Sequence, residues 1–470
     1  MLLRKNNQMQ AKQSSLPHAI LVFTMLVVMI SVGFFKMQIS LHIVLYFVLI
    51  WAALNARMLG YSFGDIRRMM KESISRSLSA IYVFLLIGMV IASFMKSGTV
   101  VALIYYGLDW ITAQWFLPVG LILCCLMSLA TGTSWGTVGT LGVVFIGIGS
   151  VLNIPLPLVA GMIISGATFG DKLSPVSDTT NLAAMSSDTD LYDHIHSMLY
   201  TTIPTFVLVF VIFAYMGYNS DQATSFEQIK QTQDVLAANF KLNPFVTFLP
   251  LLVLFVMSIK RFAPEVTMTA SIIVATMIAI LYQQKDVVEV TNALWENTKG
   301  NTESEMINDL IGRGGLYSMA WTLLLSIMAI AMGGILHGAG FLTVLLKGII
   351  KTIKRTGSLI SATIATGFVG NLSMGETYIV IILNSQLYKK AYQAKNIKTS
   401  VLSRSVEEGS TLTTALIPWS TTSIFYAKTL EVATMDYAPY ALLNYLNPIL
   451  AMVFAYLGIA VFKENNPTRD

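Results

Sequence analysis

Runs of apolar residues long enough to cross a bilayer recur from one end of this chain to the other. Residues 19–35, 39–55, 79–95, 194–218, 244–258, 266–282, 317–337 and 439–462 each read that way. A hydrocarbon core about 30 Å thick takes about 20 helical residues to span. In lipid the backbone must satisfy its own polar groups, which leaves helices or closed barrels. The runs are continuous rather than alternating, so helices are expected. Only 12% of the residues are charged, against about 25% in a soluble domain. The expected class is an all-α polytopic membrane protein.

The net charge of +5 does not point to nucleic acid. The position of the basic residues is more informative, because Lys- and Arg-rich loops stay in the cytoplasm. Arg4, Lys5 and Lys12 precede the first span; Arg57, Arg67, Arg68, Lys71 and Arg76 follow the second. Lys260-Arg261, then Lys347, Lys351, Lys354 and Arg355, then Lys389, Lys390, Lys395, Lys398 and Arg404 mark further cytoplasmic loops. Residues 219–243 and 283–315 are polar, with acids outnumbering bases, and read as external. Both termini are thereby expected in the cytoplasm. No small-residue cleavage site follows residues 19–35, so they read as a span rather than a signal peptide. Cys124 and Cys125 are adjacent inside an apolar run and read as packing residues.

Four stretches break the apolar pattern. Thr131-Gly132-Thr133-Ser134-Trp135-Gly136-Thr137 interrupts residues 116–151, as two crossings or one re-entrant hairpin. Gly170-Asp171-Lys172-Leu173-Ser174-Pro175-Val176-Ser177-Asp178-Thr179-Thr180-Asn181 follows a half-length apolar helix over 156–169. Pro175 removes a backbone donor and disfavours helix before it, so this stretch is expected to be unwound. Gly370-Asn371-Leu372-Ser373-Met374-Gly375-Glu376-Thr377 lies between two basic flanks and reads as a re-entrant hairpin. Glu407, Glu408, Gly409 and Pro418 break residues 406–425. Ionisable groups at membrane depth cost about 2.5–3.5 kcal/mol on insertion scales, which makes each a functional candidate.

The two halves echo each other. Ser97-Gly98 with Gly107 recurs as Ala339-Gly340 with Gly348, the break at Gly132 recurs near Gly370, and Asp171 recurs as Glu408. The offsets stay close (340 − 98 = 242; 408 − 171 = 237). The expected organisation is a first inverted repeat over 1–218, an external linker over 219–243 and a second repeat over 244–470. That gives about 10 full spans, two re-entrant hairpins and two broken helices, the sequence signature of a secondary transporter with a midplane site.

A hard monovalent cation takes oxygen ligands. Thr133, Ser134, Ser177, Thr179 and Thr180 offer hydroxyls, Asn181 and Asn371 amide oxygens, and Asp171, Asp178, Glu376 and Glu408 carboxylates. One carboxylate can hold H⁺ or Na⁺, each excluding the other. The competing readings are a salt bridge from Asp171 to Lys172, a helix cap at Asp178, and water-facing positions for Glu376, Glu407 and Glu408. His194 and His196 beside Asp190 and Asp193 read as an interfacial loop, and no transition-metal site is expected. Neither a phosphate-binding loop nor a dinucleotide motif is present, so no cofactor is expected and ATP-driven transport is disfavoured.

The stretch from Gly170 to Asn181, continued by Leu182-Ala183, resembles the signature of the NhaC-type Na⁺/H⁺ antiporter family. The Thr131–Thr137 and Gly375-Glu376-Thr377-Tyr378 stretches fit the same family, and the likeness runs from about Ile81 to Tyr445. It implies a fold with inverted repeats and paired hairpins, and a bacterial plasma-membrane antiporter exchanging cytoplasmic Na⁺ (with Li⁺ as a substitute) for external H⁺. Similar signatures occur in exchangers of malate and lactate and in amino-acid transporters. No Arg lies inside a broken stretch as delimited above, which favours a cation exchanger over those. The sequence gives no oligomeric state.

Overall fold

The computed structural model describes residues 14–110, 112–218, 226–350 and 355–464. Arg4, Lys5, Lys12, Lys351 and Lys354, the side chain of Lys347, residues 219–225 of the linker and the C-terminal end lie outside them.

Among the described residues every named element is helical. Seven helices are long and apolar enough to cross a membrane, or up to nine if each of two bent pairs is one span. The chain is a multi-pass membrane protein. The expected count of about ten spans is not what length and composition give, because several helices are short, bent or polar. Leu249–Ile259 is too short to qualify, and Thr399–Thr414 carries a polar face rich in Ser and Thr.

Two groups of helices can be distinguished by what they pack on. Leu316–Gly338 packs against Leu41–Met58, Phe63–Arg76 and Leu78–Lys96, and Pro264–Leu281 packs on Leu78–Lys96. These form a scaffold. Residues 63–76, expected as a loop, are an amphipathic helix. Ser62 accepts from the Asp65 amide while Asp65 accepts from Ser62, a capping box that fixes its start. Its buried Ser73 lies under Gly334 of the scaffold helix.

The second group holds the breaks. Ala113–Thr131 ends at Gly132, whose φ of 69° suits glycine, and Thr133 caps the next helix by accepting from the Gly136 amide. Leu156–Leu173 packs on Ala113–Thr131. Thr356–Met374 ends the same way at Gly375, φ 63°, with Glu376 capping Thr377–Gln393. Thr399–Thr414 packs on Thr356–Met374. A Cβ on Gly166 would meet the Leu121 carbonyl oxygen, and one on Gly409 the Ile364 carbonyl oxygen. Ser128 donates to the Ala167 carbonyl and Asn371 to the Ser410 carbonyl. The separation is 243 residues in every pair (375 − 132; 409 − 166; 371 − 128).

That separation is not the 237–242 of the sequence echoes: by these contacts Gly132 is matched by Gly375, and Asp171 falls opposite Thr414 rather than Glu408. Part of the 219–243 segment is built: Phe226–Asn239 is a helix whose Gln233 donates to Asp109 and to the Tyr105 carbonyl.

Candidate functional site

The first broken helix stays helical through Gly170-Asp171-Lys172-Leu173, further than expected. The break spans Ser174 to Ser177, and the chain is helical again at Asp178–Ser186. Pro175 explains the interruption, and side chains satisfy the freed backbone. Ser174 Oγ donates to the Leu129 carbonyl at 2.8 Å. Thr180 Oγ1 donates to the Lys172 carbonyl at 3.0 Å. Asn181 Nδ2 donates to the Ser177 and Pro175 carbonyls at 2.7 and 2.9 Å. Ser177, not Asp178, is the cap of the resumed helix.

Asp171 sits in the last turn of Leu156–Leu173, 7% exposed. Its Oδ2 accepts from the Ser134 hydroxyl at 2.6 Å and the Ser134 amide at 3.1 Å. The amide is an unsatisfied donor at a helix N-terminus, the end where the dipole favours negative charge. A cavity of about 600 Å³ adjoins Asp171. Thr133, Ser134, Ser177, Asp178, Asn181 and Glu376 also line it. Thr133, Ser134 and Glu376 come from the turns that follow Gly132 and Gly375, Ser177 from the break, and Asp178 and Asn181 from the helix that resumes after it. Asp178 is exposed there as the first residue of its helix, and Glu376 is buried with Oε2 accepting from the Ile379 amide at 3.1 Å. The cavity extends to Arg76 and Arg261.

The sequence model of the Na⁺/H⁺ antiporter family matches residues 8–180 and 166–459. The chain belongs to the Na⁺/H⁺ antiporter family. It is 34% identical to the Na⁺/H⁺ antiporter NhaC of Alkalihalophilus pseudofirmus OF4, over 97% of this chain and 98% of that one. It is also 34% identical to the malate-2H⁺/Na⁺-lactate antiporter of Bacillus subtilis 168, over 87% and 88%. The arginine/ornithine antiporter ArcD of Halobacterium salinarum is 30% identical, over 97% and 94%.

Within this member of the antiporter family, three of the expected site residues lie elsewhere. Thr180 is spent on the break's backbone. Asn371 donates to the Ser410 carbonyl and to Thr413 Oγ1, and its own Oδ1 is buried without a partner. Glu408 does not line the cavity but belongs to a separate charged cluster. There Lys172 lies 3.7 Å from Glu408 Oε1, both fully buried. Arg404, 1% exposed, donates to the Ser197 carbonyl at 3.2 Å. Neither oxygen of Glu407, also fully buried, has a hydrogen-bond partner.

This cluster overturns two expectations, for Arg404 and His194, and sets aside two of the competing readings. Lys172 pairs with Glu408, not with Asp171, because consecutive helical residues point about 100° apart. Glu407 and Glu408 are not water-facing. Arg404 is part of the second broken helix, Thr399–Thr414, rather than a cytoplasmic loop. His194, expected in an interfacial loop, is buried in Leu191–Tyr218 with Nδ1 2.8 Å from Ser403 Oγ. The missed signal was the helical run of Ser and Thr from Thr399 to Thr414, a stretch that a loop does not need and a packed polar helix does.

Proposed function

We propose that this chain is a secondary active Na⁺/H⁺ antiporter of the bacterial plasma membrane, taking up external H⁺ in exchange for cytoplasmic Na⁺. The observation that carries this reading is Asp171: a buried carboxylate lining the cavity, fixed by two donors from Ser134 on one of its oxygens. Lys172 and Arg404 formally balance Glu407 and Glu408 in the separate cluster. In the cavity Asp171, Asp178 and Glu376 share the lining with Arg76 and Arg261, three formal negative charges against two positive ones, an excess that favours a cation or a proton over an anion. A proton on Asp171 removes the charge that draws Na⁺, and bound Na⁺ excludes the proton. That exclusion, with access alternating between the two sides, is sufficient for exchange.

The contacts that recur at a separation of 243 residues support two repeats, 1–218 and 244–470, joined by 219–243. The basic loops support opposite orientations for them and cytoplasmic termini. In such folds the transported ions bind where helices are discontinuous. Arg76 and Arg261, by the same charge rule, support a cytoplasmic mouth for the cavity. Thr133, Ser134, Ser177, Asn181 and the Asp178 carboxylate are the additional oxygens offered to Na⁺. Any unequal H⁺:Na⁺ ratio draws about 2.3 kcal/mol per net charge from a 100 mV potential.

In proteoliposomes a Na⁺ pulse is expected to move protons with no organic solute present. Proton movement seen only after malate, lactate or an amino acid is added would refute this reading. It would favour the second one, an exchanger of small carboxylates. The similarity to the malate-2H⁺/Na⁺-lactate antiporter and the two arginines lining the cavity support that alternative.

A further inference from the structure

Lys172 is fully buried, yet its ammonium is not in the cavity that Asp171 adjoins. It donates to Asn447 Oδ1 at 2.7 Å and lies 3.7 Å from Glu408 Oε1. That same carboxylate oxygen accepts from Thr201 Oγ1 at 2.5 Å. Thr202 Oγ1 reaches Asn447 Oδ1 at 3.5 Å. The other Glu408 oxygen is buried without a partner. A carboxylate oxygen from Thr399–Thr414 and an amide oxygen from Leu442–Leu457 thus converge on one positive charge, and a hydroxyl from Leu191–Tyr218 holds the carboxylate. This is the oxygen-rich donor set that a hard cation takes.

We propose that Lys172 is a tethered cation: its ammonium fills an oxygen nest of Glu408 and Asn447, with the carboxylate held by Thr201, that would otherwise bind Na⁺. The chain then exchanges Na⁺ at the Asp171 site alone. A free ion in the nest would have to be carried or released at every turnover, whereas an ammonium on a helix cannot leave. The tether also ties Leu156–Leu173 to both second-half helices that bear the nest. Asp171, one residue earlier and about 100° around the helix, stays free to exchange its ion. Removing one partner of a buried ion pair leaves the other charge uncompensated. An ion from solution is the simplest replacement for the lost ammonium.

The inference rests on Asp171 as the exchangeable site, and the experiment separates the two. Binding of ²²Na⁺ to the purified full chain in detergent is measured with its melting temperature in NaCl and in choline chloride. The unaltered chain is expected to bind one Na⁺ and Asp171→Asn none; Asp171→Asn that still binds Na⁺ sinks the Asp171 reading. Lys172→Gln is expected to gain one bound Na⁺ and a melting temperature that rises with NaCl more steeply than in the unaltered chain. Lys172→Gln combined with Glu408→Gln is expected to lose that extra ion. Lys172→Gln with an unchanged count and unchanged Na⁺ dependence overturns the tethered cation. Should Lys172→Gln fail to fold, Glu408→Gln alone decides: Na⁺ stoichiometry and affinity unchanged supports the proposal, and a fall in either overturns it.

Discussion

At the residue scale, Asp171 and Asp178 make different demands although both are carboxylates of one motif. Asp171 is buried and has two fixed donors; Asp178 is exposed at the head of its helix. Asp171→Asn is expected to abolish Na⁺-driven proton movement in proteoliposomes with normal membrane insertion. Asp178→Asn is expected to weaken Na⁺ affinity without abolishing exchange. Ser134→Ala removes one hydrogen bond to an ionisable group, a loss of about 1.5–3 kcal/mol. At 1.4 kcal/mol per factor of ten, the KM for Na⁺ is expected to rise about tenfold or more, while the backbone amide still holds Asp171. An unchanged KM would show that the hydroxyl does not order the site. Asp171 was legible in the sequence as a candidate because a carboxylate inside an apolar run carries a desolvation cost that packing alone does not repay. The partner of Lys172 was not, since Asn447 and Glu408 lie more than 200 residues away and adjacency in sequence suggested Asp171 instead.

At the element scale, the breaks were legible and their register was not. Pro175 and Pro418 fall in the interruptions, among Ser, Thr and Gly, where a missing donor favours a break; Pro118, Pro204 and Pro448, in apolar runs, sit inside helices. Gly132 and Gly375 end their helices with positive φ, but glycines are frequent in this chain and an echo can slide by several residues. The register became fixed by contacts that sequence does not encode locally, such as Gly166 beneath the Leu121 carbonyl and Gly409 beneath that of Ile364. Gly132→Ala and Gly375→Ala each force a side chain into the left-handed region, a cost of about 1–2 kcal/mol. Both are expected to lower the thermal midpoint of the purified protein. Gly132→Ala should also impair Na⁺ affinity, since it displaces the N-terminus that carries Ser134. Gly409→Leu is expected to be worse than either, because the Cβ alone already meets the Ile364 backbone; loss of folded protein on size-exclusion chromatography is the readout.

At the scale of the whole molecule, the cavity and two of the salt bridges sit at opposite ends of the same helices. Ser77 and Val83, at the start of Leu78–Lys96, line the cavity; Lys96, at its end, pairs with Glu289 at 2.8 Å. Thr421 lines the cavity at the head of Thr421–Leu430, and Glu431 follows its end. By the 1.5 Å rise per residue, Glu431 lies roughly 15 Å from Thr421. Glu431 pairs with Arg313 at 3.0 Å, which joins the second broken helix to the segment entering scaffold helix Leu316–Gly338. Gly315 donates its amide to the Gly88 carbonyl at 2.7 Å close by. This bridge therefore ties the part that carries the site to the scaffold on the side away from the cavity's mouth. Opening a path on that side is expected to part it. A partly exposed ion pair contributes at most about 1 kcal/mol, so Glu431→Gln is expected to shift the balance between the two access states by no more than about fivefold. The measurement is thiol labelling, from each side of the membrane, of a cysteine placed at Thr422, which lines the cavity. Labelling from the side of Arg313 is expected to rise in Glu431→Gln while labelling from the side of Arg76 falls. Equal labelling in the variant and its parent would mean that the bridge does not bear on access.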